Sequence, residues 1–255
     1  MIAEGGQVLI PYPHSEQQLR QVHTITDRFS IANTYLINGE YLIVVDPGSD
    51  LNVRLVLNYL REFLHRTPAE IDLIVLTHLH SDHTAGVEFL SRECNAPVAA
   101  SATVRQLVGT ETQGKQGIPG IAHRAGEVLR QNTLPATIQH LDIFPPHYAS
   151  QMKMINLWLE DVASLPYHPD WRVIASPGHT LDSICLYNPF SYELLCGDTV
   201  IAIEGGAPLI RGVVNRRQLE ETLRTLRSLN VNYLYPGHGR PILAKRPLEN
   251  TSVEW

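Results

Sequence analysis

The sequence has little cysteine, no excess of basic residues and no long apolar run. Its three cysteines are far apart and odd in number, which is untypical of a disulfide framework. We expect reduced, buried thiols, with Cys196 a small core residue rather than a metal ligand. No apolar stretch approaches the ~20 residues that span a bilayer. The acidic start at Glu4 is untypical of a secretory signal. These absences predict a cytoplasmic protein.

The charge balance argues against a polyanionic partner. There are 20 lysines and arginines against 26 aspartates and glutamates, a formal net charge of −6, and nucleic-acid surfaces are normally basic. A content of 44% hydrophobic and 18% charged residues is typical of a globular protein. We therefore expect one domain spanning residues 1–255, a small-molecule substrate, and neither nucleic acid nor membrane as a partner. Leucine-rich amphipathic segments would also allow a homodimer.

A polar cluster follows the most regular apolar run. Residues Ile71 to Leu76 predict a buried strand, and a segment with three histidines and an aspartate comes directly after it. Residues two apart in an extended segment point the same way, so His78 and His80 can bind one metal ion. Asp82 and His83, beyond the strand, can turn toward a second ion. Imidazole and carboxylate suit zinc best, and iron or manganese would also accept them.

Three glycine-rich turns later in the chain offer further ligands. His179, Asp198 and His238 each follow an apolar, strand-like run, and each stands next to a glycine. The alternative is a set of polar loop residues without an ion. Such a cluster of ionisable groups would lack compensating partners, so the sequence favours a metal site.

These blocks, in this order, resemble the metallo-β-lactamase-fold hydrolases, and specifically short members of the glyoxalase II-like and lactonase-like kind. The resemblance rests on His78-x-His80-x-Asp82-His83, then His179, Asp198 and His238, and extends to Asn33-Thr34-Tyr35-Leu36-Ile37 and Val45-Asp46-Pro47-Gly48. It implies an α/β fold, a four-layer αβ/βα sandwich. True β-lactamases of this fold usually have a cysteine or serine in place of Asp198, so β-lactam cleavage is not favoured.

The resemblance also implies roles for individual residues. The first metal ion would be held by His78, His80 and His179, the second by Asp82, His83 and His238, and Asp198 would bridge both. An aspartate at the place of Asp46 steadies the metal-binding loop from behind in that family. Alternatively, Asp46 begins a turn and has no role at the metal site.

We expect hydrolysis of a small ester, thioester or lactone by a hydroxide that bridges two divalent metal ions, most simply zinc. Asp82 is the candidate catalytic residue, as a proton carrier to the leaving group, although it could serve as a ligand only. Tyr187, Tyr192 and Tyr235 could contact an oxyanion, but Tyr187 and Tyr235 lie in apolar runs typical of the core. No substrate-binding residue is identified.

Two other functions remain open. The fold also supports a mononuclear iron persulfide dioxygenase, which needs oxygen. In that case only His78 and the geometry on the His80 side, together with His179 and Asp198, would hold the ion. The complete second set of ligands favours the hydrolase without deciding the question. A non-catalytic metal-binding scaffold is the third possibility, and open metal sites of this kind are generally reactive.

The remaining pattern predicts alternating strands and helices. Asn38-Gly39-Glu40 between two apolar runs predicts a hairpin, and apolar spacing predicts helices at Leu51–His65 and Arg216–Leu229. Residues 110–169 are harder to interpret. Their glycine-rich start predicts a flexible loop, followed by strands within Val128–Asp142 and a packed helix within Tyr148–Leu165. We interpret this insertion as a lid or pocket wall, or a dimer contact. The alternative is ordinary packing on the flank of the domain.

Overall fold

Two six-stranded sheets contain most of the strands. The computed structural model describes residues 21–26, 32–112, 148–202 and 208–253. The strands of the first sheet are β1 (Val22–Ile25), β2 (Thr34–Asn38), β3 (Leu42–Val45), β4 (Ile71–Val75), β5 (Val98–Ser101) and β6 (Leu157–Leu159). They lie side by side in chain order. The pairs from β1 to β3 are antiparallel, and those from β3 to β6 are parallel.

The second sheet is mostly antiparallel. Its strands are β7 (Ser164–Leu165), β8 (His168–Ala175), β9 (Ile184–Asn188), β10 (Glu193–Gly197), β13 (Tyr233–Pro236) and β14 (Ile242–Leu243). Their spatial order is β14-β13-β10-β9-β8-β7, and only β10 and β13 run parallel. A small third sheet joins β11 (Ile201–Ala202), β12 (Pro208–Ile210) and β15 (Ser252–Val253).

Helices connect these strands. They are α1 (Asp50–Tyr59), α2 (Ser81–Thr84), α3 (Val87–Cys94), α4 (Thr103–Thr112), α5 (Tyr148–Gln151) and α6 (Arg216–Ser228). A π-helical turn, Leu60–Leu64, extends α1, and 3-10 turns lie at Pro68–Glu70, Met152–Met154 and Pro247–Asn250. Ser49 caps α1 and Asn215 caps α6, each by accepting a backbone N–H of the first turn.

Strand β4 shows how the layers form. Side chains alternate along a strand, so Leu73 and Val75 face the second sheet, where they share a core with Trp171. Ile74 faces the other way, into a core that it shares with Val53 of α1.

Helix α6 covers the outer side of the second sheet. Its buried residues Leu219, Leu223 and Leu226 pack in one cluster with Leu194 and Cys196 of β10. The order of layers is therefore helix, sheet, sheet, helix. This confirms the predicted αβ/βα sandwich.

Several local predictions are also confirmed. Strands β2 and β3 pair as the expected hairpin, with Asn38 opposite Leu42. Helix α6 ends at Ser228, one residue before the predicted end. The helix predicted at Leu51–His65 forms, but its last turn is π-helical and it stops where His65 adopts the left-handed conformation, φ 52°.

The helix predicted at Tyr148–Leu165 is wrong beyond Met154. Helix α5 and one 3-10 turn are followed by β6, at the edge of the first sheet. The apolar residues there follow a strand period, because Leu157 and Leu159 contact the core between the sheets while Trp158 contacts the core under the helices.

The insertion predicted at about 110–169 belongs to the fold from Leu157 onward. That part supplies β6, β7 and the start of β8, which run in both main sheets. Residues 113–147, including the strands predicted within Val128–Asp142, lie outside the described residues, and the lid or pocket wall stays a prediction. Among the helices that the structure describes, none has the length and apolarity needed to cross a bilayer.

Candidate metal centre

The seven predicted ligands converge at one end of the two sheets. Four lie in the loop and short helix α2 that follow β4, and the others follow β8, β10 and β13: His78, His80, Asp82, His83, His179, Asp198 and His238. Two backbone contacts join the sheets here. The N–H of Ile184 donates to the carbonyl of Thr77 at 2.8 Å, and His238 forms a β-bridge with Ala32.

Three buried histidines form the first cluster. Nδ1 of His80 lies 3.1 Å from Nε2 of His78 and 3.0 Å from Nε2 of His179, and none of the three residues is more than 6% exposed. Tetrahedral zinc with Zn–N bonds of 2.0–2.1 Å sets its nitrogens about 3.3 Å apart. The three nitrogens therefore have nearly the spacing of ligands on one ion.

The hydrogen bonds of the outer ring nitrogens support this interpretation. Nδ1 of His179 donates to the carbonyl of Arg211 at 3.3 Å. Thr77 Oγ1 donates to Asp46 at 2.6 Å, so it accepts from Nδ1 of His78 at 3.1 Å. Both Nε2 atoms then present lone pairs to His80, whose single nitrogen can donate to only one of them. A cation at this point would satisfy all three.

The titration behaviour of the first cluster suits a metal site. Burial lowers the pKa of His78 well below its usual value, and burial together with neighbouring His179 lowers the pKa of His80 to about 3. Both rings are neutral at physiological pH, which is the form that binds metal ions.

A second cluster contains two carboxylates and two histidines. Nε2 of His238 lies 3.3 Å from Oδ2 of Asp82 and 2.9 Å from Oδ2 of Asp198. Nε2 of His83 lies 3.3 Å from Oδ1 of Asp198 and 3.8 Å from Oδ2 of Asp82. Nε2 of His83 and Oδ1 of Asp198 are buried, and neither makes a well-formed hydrogen bond to any residue that the structure describes. This donor set fits a second divalent ion.

Charge pairing controls the pKa values in this cluster. Burial alone would lower the pKa of His238, but the Asp198 carboxylate raises it to about 10. Asp82 and Asp198 likewise raise the pKa of His83 well above its usual value against burial. Burial would raise the pKa of Asp82, yet the His83 charge lowers it to about 2. Without a metal ion, protonated imidazoles therefore neutralise the carboxylates.

Asp198 connects the two clusters. Its Oδ2 atom lies 3.7 Å from Nε2 of His179 in the first cluster and 2.9 Å from Nε2 of His238 in the second. Burial would raise the pKa of Asp198, but the neighbouring His238 and His83 hold it well below its usual value. The carboxylate is ionised and can reach an ion in either cluster.

Asp46 supports the ligand loop from behind. It is 1% exposed, in the left-handed conformation at φ 51°. Its carboxylate accepts the N–H of Thr77 at 2.8 Å, the hydroxyl of the same residue at 2.6 Å, and Nδ1 of His83 at 2.9 Å. The last contact fixes the His83 tautomer and turns its Nε2 toward Asp198.

Two glycines give the backbone room at the centre. Gly197 has φ 47°, and a Cβ atom there would overlap the Thr77 side chain. A Cβ atom at Gly237 would overlap Oδ1 of Asp198 and lie 2.9 Å from Cε1 of His83. The sequences Gly-Asp and Gly-His at these turns therefore serve close packing around the ligands.

Of the other candidates from the sequence, Cys196, Tyr187 and Tyr235 are core residues, whereas Tyr192 lies at the surface. Cys196 is buried with its sulfur 3.4 Å from the carbonyl of Val200, and all three cysteines are buried free thiols. The hydroxyl of Tyr187 donates to the carbonyl of Asn230, and that of Tyr235 donates to Glu193. Tyr192 is 39% exposed.

Sequence reasoning missed three polar residues behind the ligand loops. Asp182 is 1% exposed and accepts a hydrogen bond from the hydroxyl of Tyr148 at 2.9 Å. Gln151 donates to the carbonyl of Leu79, the residue between two ligand histidines, at 2.7 Å. The only feature of the sequence that could have indicated these residues is the position of Asp182, three residues after His179. That spacing alone is not a recognisable motif.

The chain is similar to known proteins over most of its length. Residues 27–238 match the family model of the metallo-beta-lactamase superfamily. The probable metallo-hydrolase YflN of Bacillus subtilis is 24% identical over 88% of this chain and 86% of its own length. The probable metallo-hydrolase MJ0888 of Methanocaldococcus jannaschii is 29% identical over 82% of this chain and 87% of its own.

A solved structure shows the same fold. The crystal structure of TTHA1623 in a di-iron-bound form aligns over 86% of this chain and 91% of its own, with a TM-score of 0.54 and 24% identity. At that identity the likeness concerns the fold.

Proposed function

This chain belongs to the metallo-beta-lactamase superfamily and is a metal-dependent hydrolase, and we propose that it uses two metal ions to cleave a small ester, thioester or lactone. The observation that carries the proposal is the pair of buried ligand clusters joined by Asp198. One cluster alone would suit many metal proteins. Two clusters that share a carboxylate suit chemistry that needs two ions at once.

The ligand sets divide as the clusters do. His78, His80 and His179 would hold the first ion, and Asp82, His83 and His238 the second, with Asp198 between them. Zinc fits these ligands best, and iron or manganese are the alternatives. Two bound divalent ions would acidify a water molecule and polarise the carbonyl group of the substrate.

The exposed side of the centre indicates where the substrate enters. The side chains of Asp82 and His238 are 11% and 14% exposed, whereas that of His83 is fully buried and that of His179 is 7% exposed. A substrate would therefore approach across Asp82 and His238. On that side the Asp82 carboxylate would carry a proton to the leaving group, in addition to a role as a ligand.

The charge of the chain's own groups supports carbonyl chemistry at neutral pH. The carboxylates of Asp82 and Asp198 are ionised there, because neighbouring histidines keep both pKa values below their usual range. They offset part of the charge of two divalent ions. His78 and His80 stay neutral and add none.

A mononuclear iron persulfide dioxygenase is the second candidate, and it would need only the first cluster and Asp198. The second cluster favours the hydrolase, because that enzyme class uses all of its ligands. A non-catalytic scaffold would require no open approach to the ions, whereas Asp82 and His238 are partly exposed.

The test is an activity panel on the metal-loaded protein. Lactones and acyl thioesters should be hydrolysed without oxygen, and a chelator should abolish the activity until metal is restored. His80→Ala should lose metal and turnover together, whereas His65→Ala, at an exposed helix end, should lose neither. Oxygen uptake with a persulfide, together with no hydrolysis of any ester, would establish the dioxygenase instead.

A further inference from the structure

The peptide of Leu79 is held from both sides by side chains remote in sequence. Leu79 lies between His78 and His80 and is fully buried. Its carbonyl accepts a hydrogen bond from Nε2 of Gln151 at 2.7 Å. Its N–H donates to the carboxylate of Asp182. The backbone between two metal ligands is therefore fixed by α5 on one side and by the loop before β9 on the other.

Asp182 also contacts the turn that carries the third histidine. The hydroxyl of Thr180, the residue after His179, donates to Asp182. The hydroxyl groups of Thr180 and Ser183 are also hydrogen-bonded to each other, at 2.6 Å. One buried carboxylate thus accepts hydrogen bonds from both ligand-bearing loops. The distance between these loops sets the distance between His80 and His179.

Tyr148 fixes the position of that carboxylate. Its hydroxyl donates to Oδ1 of Asp182 at 2.9 Å, and the tyrosine side chain is buried in the core under the helices. Tyr148 and Gln151 lie one turn apart on α5, so the same helix holds Asp182 and the carbonyl of Leu79.

We propose that Tyr148 and Asp182 are positioning residues of the first metal cluster, which act by holding the Leu79 peptide and the His179 turn at a fixed separation. The proposal rests on the proposed metal centre but not on its substrate. A ligand set held within a few tenths of an ångström by supporting hydrogen bonds binds its metal more tightly than the same ligands on loose loops. These residues touch neither metal nor substrate.

Tyr148→Phe and Asp182→Asn test this in the full-length protein. Each is nearly isosteric, so packing is kept. Tyr148→Phe removes the one hydrogen bond from the tyrosine hydroxyl, whereas Asp182→Asn removes the charge and replaces one acceptor oxygen by an NH2 donor. Matched controls are Tyr187→Phe, which removes a buried hydroxyl bonded to the Asn230 carbonyl, and Asp170→Asn, at the other end of β8, which removes a carboxylate bonded to Asn188. The probes are zinc affinity by chelator competition and the visible spectrum of the cobalt-substituted protein.

Tyr148→Phe and Asp182→Asn should each raise the zinc dissociation constant of the tighter site by about 10-fold or more and change the cobalt spectrum. The control variants should leave both unchanged, even where they lower the melting temperature as much. An unchanged spectrum and a dissociation constant within about twofold of wild type in Tyr148→Phe would overturn the proposal. The same results in Asp182→Asn would overturn the proposal, provided that this variant folds. If Asp182→Asn does not fold, the result for Tyr148→Phe decides the proposal alone.

The test of the positioning role can succeed or fail independently of the proposed hydrolase activity. If the wild-type protein binds zinc but hydrolyses no ester, thioester or lactone, the hydrolase proposal fails while the affinity comparison still decides the positioning role. If the wild-type protein binds no zinc, both proposals fail.

Discussion

Oδ2 of Asp198 lies 2.9 Å from Nε2 of His238, and both side chains are more than 85% buried. The same oxygen is 3.7 Å from Nε2 of His179, across the boundary between the two clusters. A single carboxylate oxygen therefore faces both ligand sets. Loss of the Asp198 carboxylate should affect the two metal sites unequally. Three histidines would still hold the first ion, whereas the second ion would lose one of its two anionic ligands.

Asp198→Asn tests this asymmetry. We expect the variant to keep the first ion, to lose most of the second, and to lower kcat/KM by about 100-fold or more, the scale of removing one group that stabilises charge in the transition state. Elemental analysis and steady-state kinetics on one sample measure both. Full binding of two ions with wild-type turnover would show that Asp198 is not shared.

Asp46→Asn should weaken the second site through His83. The amide cannot accept the N–H of His83 as a carboxylate does, while it must still serve both donors of Thr77. The expected loss of metal affinity is about 10- to 100-fold. Asp72→Asn is the matched control, since that carboxylate accepts a backbone N–H of Leu42 away from the site. Equal metal affinity in both variants would contradict the role of Asp46.

Metal binding should release more protons at the second site than at the first. The raised pKa values of His83 and of His238, about 10, mean that both rings are protonated in the metal-free protein at neutral pH. Both must lose a proton to become ligands, so affinity at this site should rise with pH. His78 and His80 have lowered pKa values and should release none near pH 7.

Calorimetry in buffers of different ionisation enthalpy counts these protons. We expect two binding events, and the one at the second site should have the stronger buffer dependence, with release of one proton each from His83 and His238. Two events that both lack buffer dependence would show that neither imidazole is protonated before metal binds.

Gly237→Ala should damage the centre without unfolding the protein. The new methyl group would overlap the Asp198 carboxylate and crowd His83, so the second ion should be lost. Gly109→Ala is the control, because a Cβ atom there meets no atom of the described residues within 4 Å. Both variants should keep the circular dichroism spectrum of the wild type. A Gly237→Ala protein with both ions bound would contradict the described packing.

The sequence predicted those features that depend on residues close together in the chain. Three histidines and an aspartate after one strand predicted the ligand loop, and the apolar run Ile71–Leu76 predicted the buried strand that forms as β4. The hairpin at Asn38 was predictable because its turn residues are specific. In the segment Tyr148–Leu165, the high apolar content led us to predict a helix. Leu157 and Leu159 instead follow the two-residue period of a strand, and they lie in β6.

The supporting contacts could not be predicted in the same way. Tyr148 and Asp182 are 34 residues apart, and Gln151 and Leu79 are 72 apart. Neither pair has a spacing or a motif that links it, because the contacts depend on how two sheets and α5 pack together. Only the folded chain brings these groups behind the ligand loops.

Metal content tests the central claim most directly. The protein should be purified without added metal and measured by elemental analysis, and then again after loading with zinc. The account predicts two divalent ions per chain in the loaded protein, with hydrolytic activity that follows occupancy of the second. A single iron per chain that cannot be joined by a second ion, with oxygen uptake in place of hydrolysis, would contradict it.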